Sequence, residues 1–169
     1  IETYWREGYL VVKRLIAEKQ LDTFSRRFEA IIEGRAQLSP MMKIMKDVMI
    51  AKGHLKADDP IQEVNKLFSL ENDPVFREYI TDPDLTSGVR SLLGSTIYSL
   101  ASNVFNKPPE IDGRHPMHQD LRYFKLRPAD EIDSVSTSIR TTNRESGCLS
   151  VLTGSHKLGI QEHTLPKWD

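Results

Sequence analysis

The sequence predicts an α+β fold in which a helical N-terminal part precedes a β-sandwich or barrel. Three observations carry this expectation. An apolar stripe at helical spacing occupies residues 21–32. Three Asp-Pro pairs, each a helix-start signal, fall between residues 59 and 83. After Gly94 the pattern changes to short alternating segments separated by turn residues. No linker divides the two parts, so one domain is expected over residues 1–169, helical to about residue 94 and forming a β-core from about 95 to 169.

Taken in order, "REGYLVVKRL" reads as a short strand over 9–15, entered through Gly8. "AEKQLDTFSRRFEAIIEGR" places Leu21, Phe24, Phe28, Ile31 and Ile32 on one side of a helix, with Gly34 as its C′ stop. Residues 38–52 hold Met41, Met42, Met45 and Met49. No Cys or His interleaves with them, so they read as core filler and not as a soft-metal site. "DDPIQEVNKLF", "NDPVFREYI" and "TDPDLTSGVRSLLG" predict a run of short helices over 59–94. The residues after each Asp-Pro share nothing further, so this is not a repeat. Strands are expected within "STIYSLASNVFN", over 120–125, in "DSVSTSIR" and in "GCLSVLTGSH".

Composition excludes more than it identifies. The chain has 169 residues, 23 basic and 24 acidic, for a net charge of −1. That balance offers no electrostatic case for nucleic acid or an anionic membrane. No apolar run approaches the roughly 20 residues of a membrane span. The single Cys148 rules out an internal disulfide and, set in an apolar run, reads as a buried structural thiol. The sequence opens on Ile1 without an initiator Met, so the true N-terminus and any targeting signal are expected upstream.

The chemistry concentrates in "RHPMHQDLRYF", residues 114–124. His118 and Asp120 are two apart, and on a strand positions i and i+2 face the same way. An imidazole and a carboxylate would then converge on one cation. Two imidazoles and a carboxylate form the facial triad of non-haem Fe(II) oxygenases, and this stretch supplies two of those three ligands. The bland alternative is a surface turn with a hydrogen-bonded His, and His-x-Asp alone does not separate the two. His115 precedes Pro116, is therefore held extended, and would point away from His118's face. It reads as a hydrogen-bonding neighbour of the site. His54 and His163 carry no supporting pattern.

The order of motifs adds context. "REGYLVVKRL", "NKPP", "HPMHQDLRYF", "LRPAD", "ESGCLSVLTGSHKLG" and "LPKWD" follow one another along the chain. Together they resemble the phytanoyl-CoA dioxygenase family, its animal members above all, over essentially the whole chain. The resemblance implies a double-stranded β-helix (jelly-roll) core, here partial. It implies a dioxygenase dependent on Fe(II), with 2-oxoglutarate as co-substrate and ascorbate as an auxiliary reductant. It implies a branched fatty acyl-CoA substrate, hydroxylated at the carbon α to the thioester, and a peroxisomal location. By the same resemblance His118 and Asp120 are metal ligands, Gln119 sits beside 2-oxoglutarate, and Lys66 lies near that co-substrate. For Lys66 an exposed helix lysine is the competing expectation. His156, in "GSHK", takes a structural or substrate-entrance role.

Two departures qualify the resemblance. The family's distal jelly-roll half, with a second iron-binding His and an Arg for the far carboxylate of 2-oxoglutarate, has no counterpart here. The expectation is therefore a fragment that is inactive by itself. Ser136 stands where the family usually has a Trp lining the co-substrate pocket, and Asn103 where an apolar residue is common. Two other readings stay open: a non-catalytic family remnant that binds acyl-CoA or a partner protein, and a cupin-like protein holding another metal at His118 and Asp120.

Overall fold

The structure is a computed structural model that describes residues 1–109, 111 and 115–164. Arg114 and residues 165–169, which belong to the motif pattern above, lie outside the described residues.

The first half follows its local signals closely. Helix α1 spans Glu2–Glu7 and stops at Gly8. Helix α2 spans Glu18–Ile32, and Gly34 follows at φ +74°, the left-handed C′ position expected of it. The apolar side of α2 buries Phe24, Phe28 and Ile31. All three Asp-Pro signals start helices. Asp59 accepts from the Ile61 N–H at 2.8 Å and opens α4, Pro60–Glu63. Asp73 accepts from Val75 and Phe76 and opens α5, Pro74–Ile80. Asp82 accepts from Asp84 and Leu85 and opens α6, Pro83–Leu93, which ends at Gly94. A single turn, α3 (Val48–Ala51), is capped by the buried Asp47.

One helix stops short. After α4 the chain turns straight into a strand, and the helical expectation for 64–68 is corrected. Strand β2 (Val64–Phe68) is the centre of a three-stranded antiparallel sheet, with β1 (Lys43–Lys46) on one side and β3 (Asn103–Phe105) on the other. Val64, Asn65 and Leu67 are buried there. Pairing on both edges satisfies the backbone of β2, and a four-residue helix has little cooperative stability to set against that. Lys66 therefore sits on a strand and not on an exposed helix.

The core joins α2 to the sheet and the later helices. Phe24, Phe28, Ile31, Val64, Leu67, Leu70, Phe76 and Leu85 belong to one cluster. Phe24 meets the Phe76 and Tyr79 rings at centroid distances of 6.2 and 5.9 Å. Of the four methionines, Met42 alone is core filler at 3% exposure, whereas Met41 and Met45 are exposed. Phe28→Ala is expected to cost roughly 3–5 kcal/mol through lost transfer energy and the cavity left behind. A denaturant midpoint that ignores the change would place that face in solvent.

The second half departs from expectation. Among the described residues, the strands expected after Gly94 form only at Asn103–Phe105, and 9–15 forms none. Residues 120–122 make a 3-10 turn instead, with Arg122 N–H bonding Gln119 C=O at 3.0 Å and Tyr123 N–H bonding Asp120 C=O at 2.8 Å. The reason is that ladder bonds need a second segment in register. Where the described residues provide none, i→i+3 bonds satisfy the backbone locally. The expected strand at 135–139 lies along the helices, tied by side chains. The Tyr79 and Thr137 hydroxyls are 2.8 Å apart, and Arg140 donates to Ser25 Oγ and Glu29 Oε1. The jelly roll is thus not what the described residues form; they form a small antiparallel sheet packed with helices.

Candidate metal centre

The sheet presents one face to the histidine stretch. Lys66 pairs directly with Phe105 across β2 and β3, so their side chains share a face. Phe68, two residues on, shares it as well. The Lys66 ammonium lies 3.9 Å from the Phe105 ring centroid and 5.0 Å from that of Phe68, a cation–π arrangement on two rings. Burial pushes the Lys66 pKa down, and the Asp120 carboxylate pulls the other way. His115 stacks edge-on against Phe105 at 5.2 Å, which brings the histidine stretch to the same rings.

His118 and Asp120 do converge, though not by the route their spacing implies. His118 lies in an irregular segment and Asp120 opens a 3-10 turn, and the His118 Nε2 to Asp120 Oδ1 distance is 3.4 Å. The His118 ring rests edge-to-face on Tyr123 at 5.5 Å. Its Nδ1 is 2.8 Å from the Pro116 carbonyl oxygen, which can only accept, so Nδ1 carries a proton. In the neutral ring Nε2 then holds the lone pair. This is how a ligating imidazole is usually oriented. An Nε2 lone pair and a carboxylate oxygen facing each other repel unless a cation or a proton lies between them. At bond lengths of about 2.0–2.2 Å a divalent ion could reach both atoms. The pair could thus supply two of the donors a metal ion would need.

Sequence reasoning missed Ser134. Its hydroxyl donates to Asp120 Oδ2, leaving Oδ1 to face His118. Nothing in the alternation of "DSVSTSIR" singles out this serine, because the contact spans 14 residues of sequence.

The remaining polar residues are committed elsewhere. Gln119 spends its side chain on bracing a neighbouring segment: its Nε2 donates to Gly159 C=O and its Oε1 accepts from Gln161 N–H. His163 accepts from the Gln119 N–H through Nε2 at 2.9 Å and uses Nδ1 on the Gln161 carbonyl, so both ring nitrogens are engaged. His156 points its Nε2 at the Trp5 carbonyl, 3.1 Å away, with its ring pressed against Gly8. A Cβ at Gly8 would come within 2.3 Å of His156 Nδ1, and φ there is +83°, so this position requires glycine twice over. Ser136 is exposed, and Asn103 pairs with Phe68 in the sheet. Among the described residues no group of three or more His, Cys, Asp or Glu side chains gathers round one point.

The described residues thus set a His-x-Asp pair near a partly desolvated lysine on one face of the sheet. Comparison with known proteins gives the class: the model of the family "Phytanoyl-CoA dioxygenase (PhyH)" matches residues 4–169, and the chain belongs to that family. A probable phytanoyl-CoA dioxygenase of Caenorhabditis elegans is 36% identical over 98% of this chain and 54% of the relative. The peroxisomal phytanoyl-CoA dioxygenase of Bos taurus is 33% identical over 98% of this chain and 49% of the relative. An ectoine dioxygenase of Bordetella bronchiseptica is 22% identical over 93% of the chain and 48% of the relative. The chain spans about half the length of the curated relatives it matches. The relatives are dioxygenases named for different substrates.

Proposed function

We propose that this chain carries the His118–Asp120 metal site and Lys66 of an Fe(II)- and 2-oxoglutarate-dependent dioxygenase that hydroxylates a fatty acyl-CoA at the carbon α to the thioester. One observation supports the reading: Nε2 of an oriented His118 and Oδ1 of Asp120 stand 3.4 Å apart, a separation that one divalent ion could bridge. Bound iron would supply the oxygen-activating redox chemistry that couples 2-oxoglutarate decarboxylation to C–H hydroxylation.

The chain's own residues have separable tasks. His118 offers a neutral nitrogen donor, and Asp120 an anionic oxygen that offsets part of the ion's charge. Lys66, held against Phe68 and Phe105, is a partly dehydrated ammonium on the same side as Asp120, suited to a co-substrate carboxylate. Gln119 braces residues 159–161 beside the site and touches the co-substrate only if it gives up those bonds. The alternation of 95–106, 135–139 and 147–152 supports their pairing as jelly-roll strands once neighbouring segments are available. The exposed Leu149, Val151 and Leu152 support the same reading. A branched acyl-CoA and a peroxisomal setting are favoured by the names of the mammalian relatives.

The test is succinate release from 2-oxoglutarate with Fe(II) and ascorbate, with and without a branched acyl-CoA. The 169-residue chain is expected to release none above chelator and iron controls, because among its described residues only His118 and Asp120 come together as ligands. A longer polypeptide that adds an imidazole and a guanidinium on later strands is expected to turn over. Failure of that longer form to couple succinate to acyl-CoA would overturn the proposal. A second reading, a non-catalytic binder of acyl-CoA or a partner protein, is favoured by the two-ligand count and by Ser136. Acyl-CoA binding without succinate release in the longer form would select it.

A further inference from the structure

We propose that Ser134 is a positioning residue for Asp120, and that Tyr4 holds it in place through Asp133. The inference rests on His118 and Asp120 being metal ligands and goes one step beyond that reading. A carboxylate on an exposed turn rotates freely, and its two oxygens are interchangeable. The Ser134 hydroxyl breaks that equivalence: it donates to Oδ2, while Oδ1 faces His118 Nε2 at 3.4 Å. Asp120 is thereby set to offer one oxygen to an ion and not two. Hydrogen-bonded partners of ligating groups act in this way in metal sites generally.

Ser134 lies in a segment without regular structure, so local backbone geometry does not place it. Its neighbour does. Asp133 Oδ1 accepts the Tyr4 hydroxyl at 2.5 Å, a contact spanning 129 residues of sequence. Tyr4 belongs to α1, which is itself fastened to the 154–156 turn. The Glu7 carbonyl accepts from Gly154 N–H at 2.7 Å, and the Trp5 carbonyl meets His156 Nε2. Burial, and then the adjoining Asp133, raise the Tyr4 phenol pKa, so it stays a donor throughout the neutral range. The first helix thus sets the ligand geometry from a distance, through two consecutive residues.

The experiment titrates Co(II) into the longer form that adds the further imidazole and reads affinity and the visible spectrum. Ser134→Ala is expected to weaken binding about 10–100-fold and to alter the spectrum as Asp120 is freed to chelate through both oxygens. Ser134→Thr keeps a hydroxyl on the β-carbon and should recover most of the loss. Tyr4→Phe should weaken binding in the same direction by less. In an Asp120→Ala background Ser134→Ala should add nothing, which separates positioning from general packing. Ser134 is exposed, so thermal unfolding should not move. Failure of the longer form to bind Co(II) overturns the metal reading and this inference with it. Wild-type binding that Ser134→Ala leaves unchanged, or that Ser134→Thr fails to recover, overturns the inference alone.

Discussion

Asp120→Ala is expected to weaken divalent-ion binding by more than about 100-fold, beyond the loss typical of an outer partner, and to abolish succinate release in the longer, competent form. Among the described residues, the substitution removes the carboxylate that faces His118 Nε2 and leaves the imidazole as a single donor. Asp120→Glu keeps the charge, yet the extra methylene shifts the oxygen by more than the roughly 0.5 Å that such a site tolerates. It should therefore be severely impaired as well. The Asp120 side chain is 48% exposed, so neither change should alter the unfolding midpoint appreciably. Retained Co(II) binding in Asp120→Ala would move the site away from this pair.

Asp73→Ala should be among the most damaging single changes to stability, at about 3–5 kcal/mol for breaking a buried ion pair. Asp73 is 1% exposed and serves two elements at once. Its Oδ2 takes Nε and Nη2 of Arg27 on α2, at 3.0 and 2.7 Å, while its Oδ1 caps α5. The alanine loses both, and the Phe76 N–H is left inside without a partner. Asp73→Asn keeps a capping oxygen and should cost less, roughly 1–3 kcal/mol. Because the carboxylate is buried, the loss should change little with added salt. Chemical denaturation of the three proteins in low and high salt checks the order. Equal stability of Asp73→Ala and wild type would refute the account.

The sequence by itself determined what depends on neighbours in the chain. The Asp-Pro starts at 59, 73 and 82 needed only a side-chain oxygen within reach of N–H groups two or three residues on, and all three formed. The stripe on α2 named its buried residues because helical periodicity is local. The motif order identified the family across the whole chain.

Tertiary structure alone decided the rest. Whether 64–68 became helix or strand turned on β1 and β3 being there to pair with it, which "EVNKLF" does not record. The strands foreseen at 120–125 and 135–139 lacked a partner in register among the described residues and took turn or irregular form. His118 and Asp120 were legible as a pair, but their convergence came from a 3-10 turn and a carbonyl contact, not from strand alternation. Lys66 on a strand under Phe105, and Ser134 on Asp120, arise from contacts 39 and 14 residues apart, brought together only when the chain folds. Hydrogen bonds and desolvation act through space, so a sequence can name the residues that carry chemistry while the fold decides which of them meet.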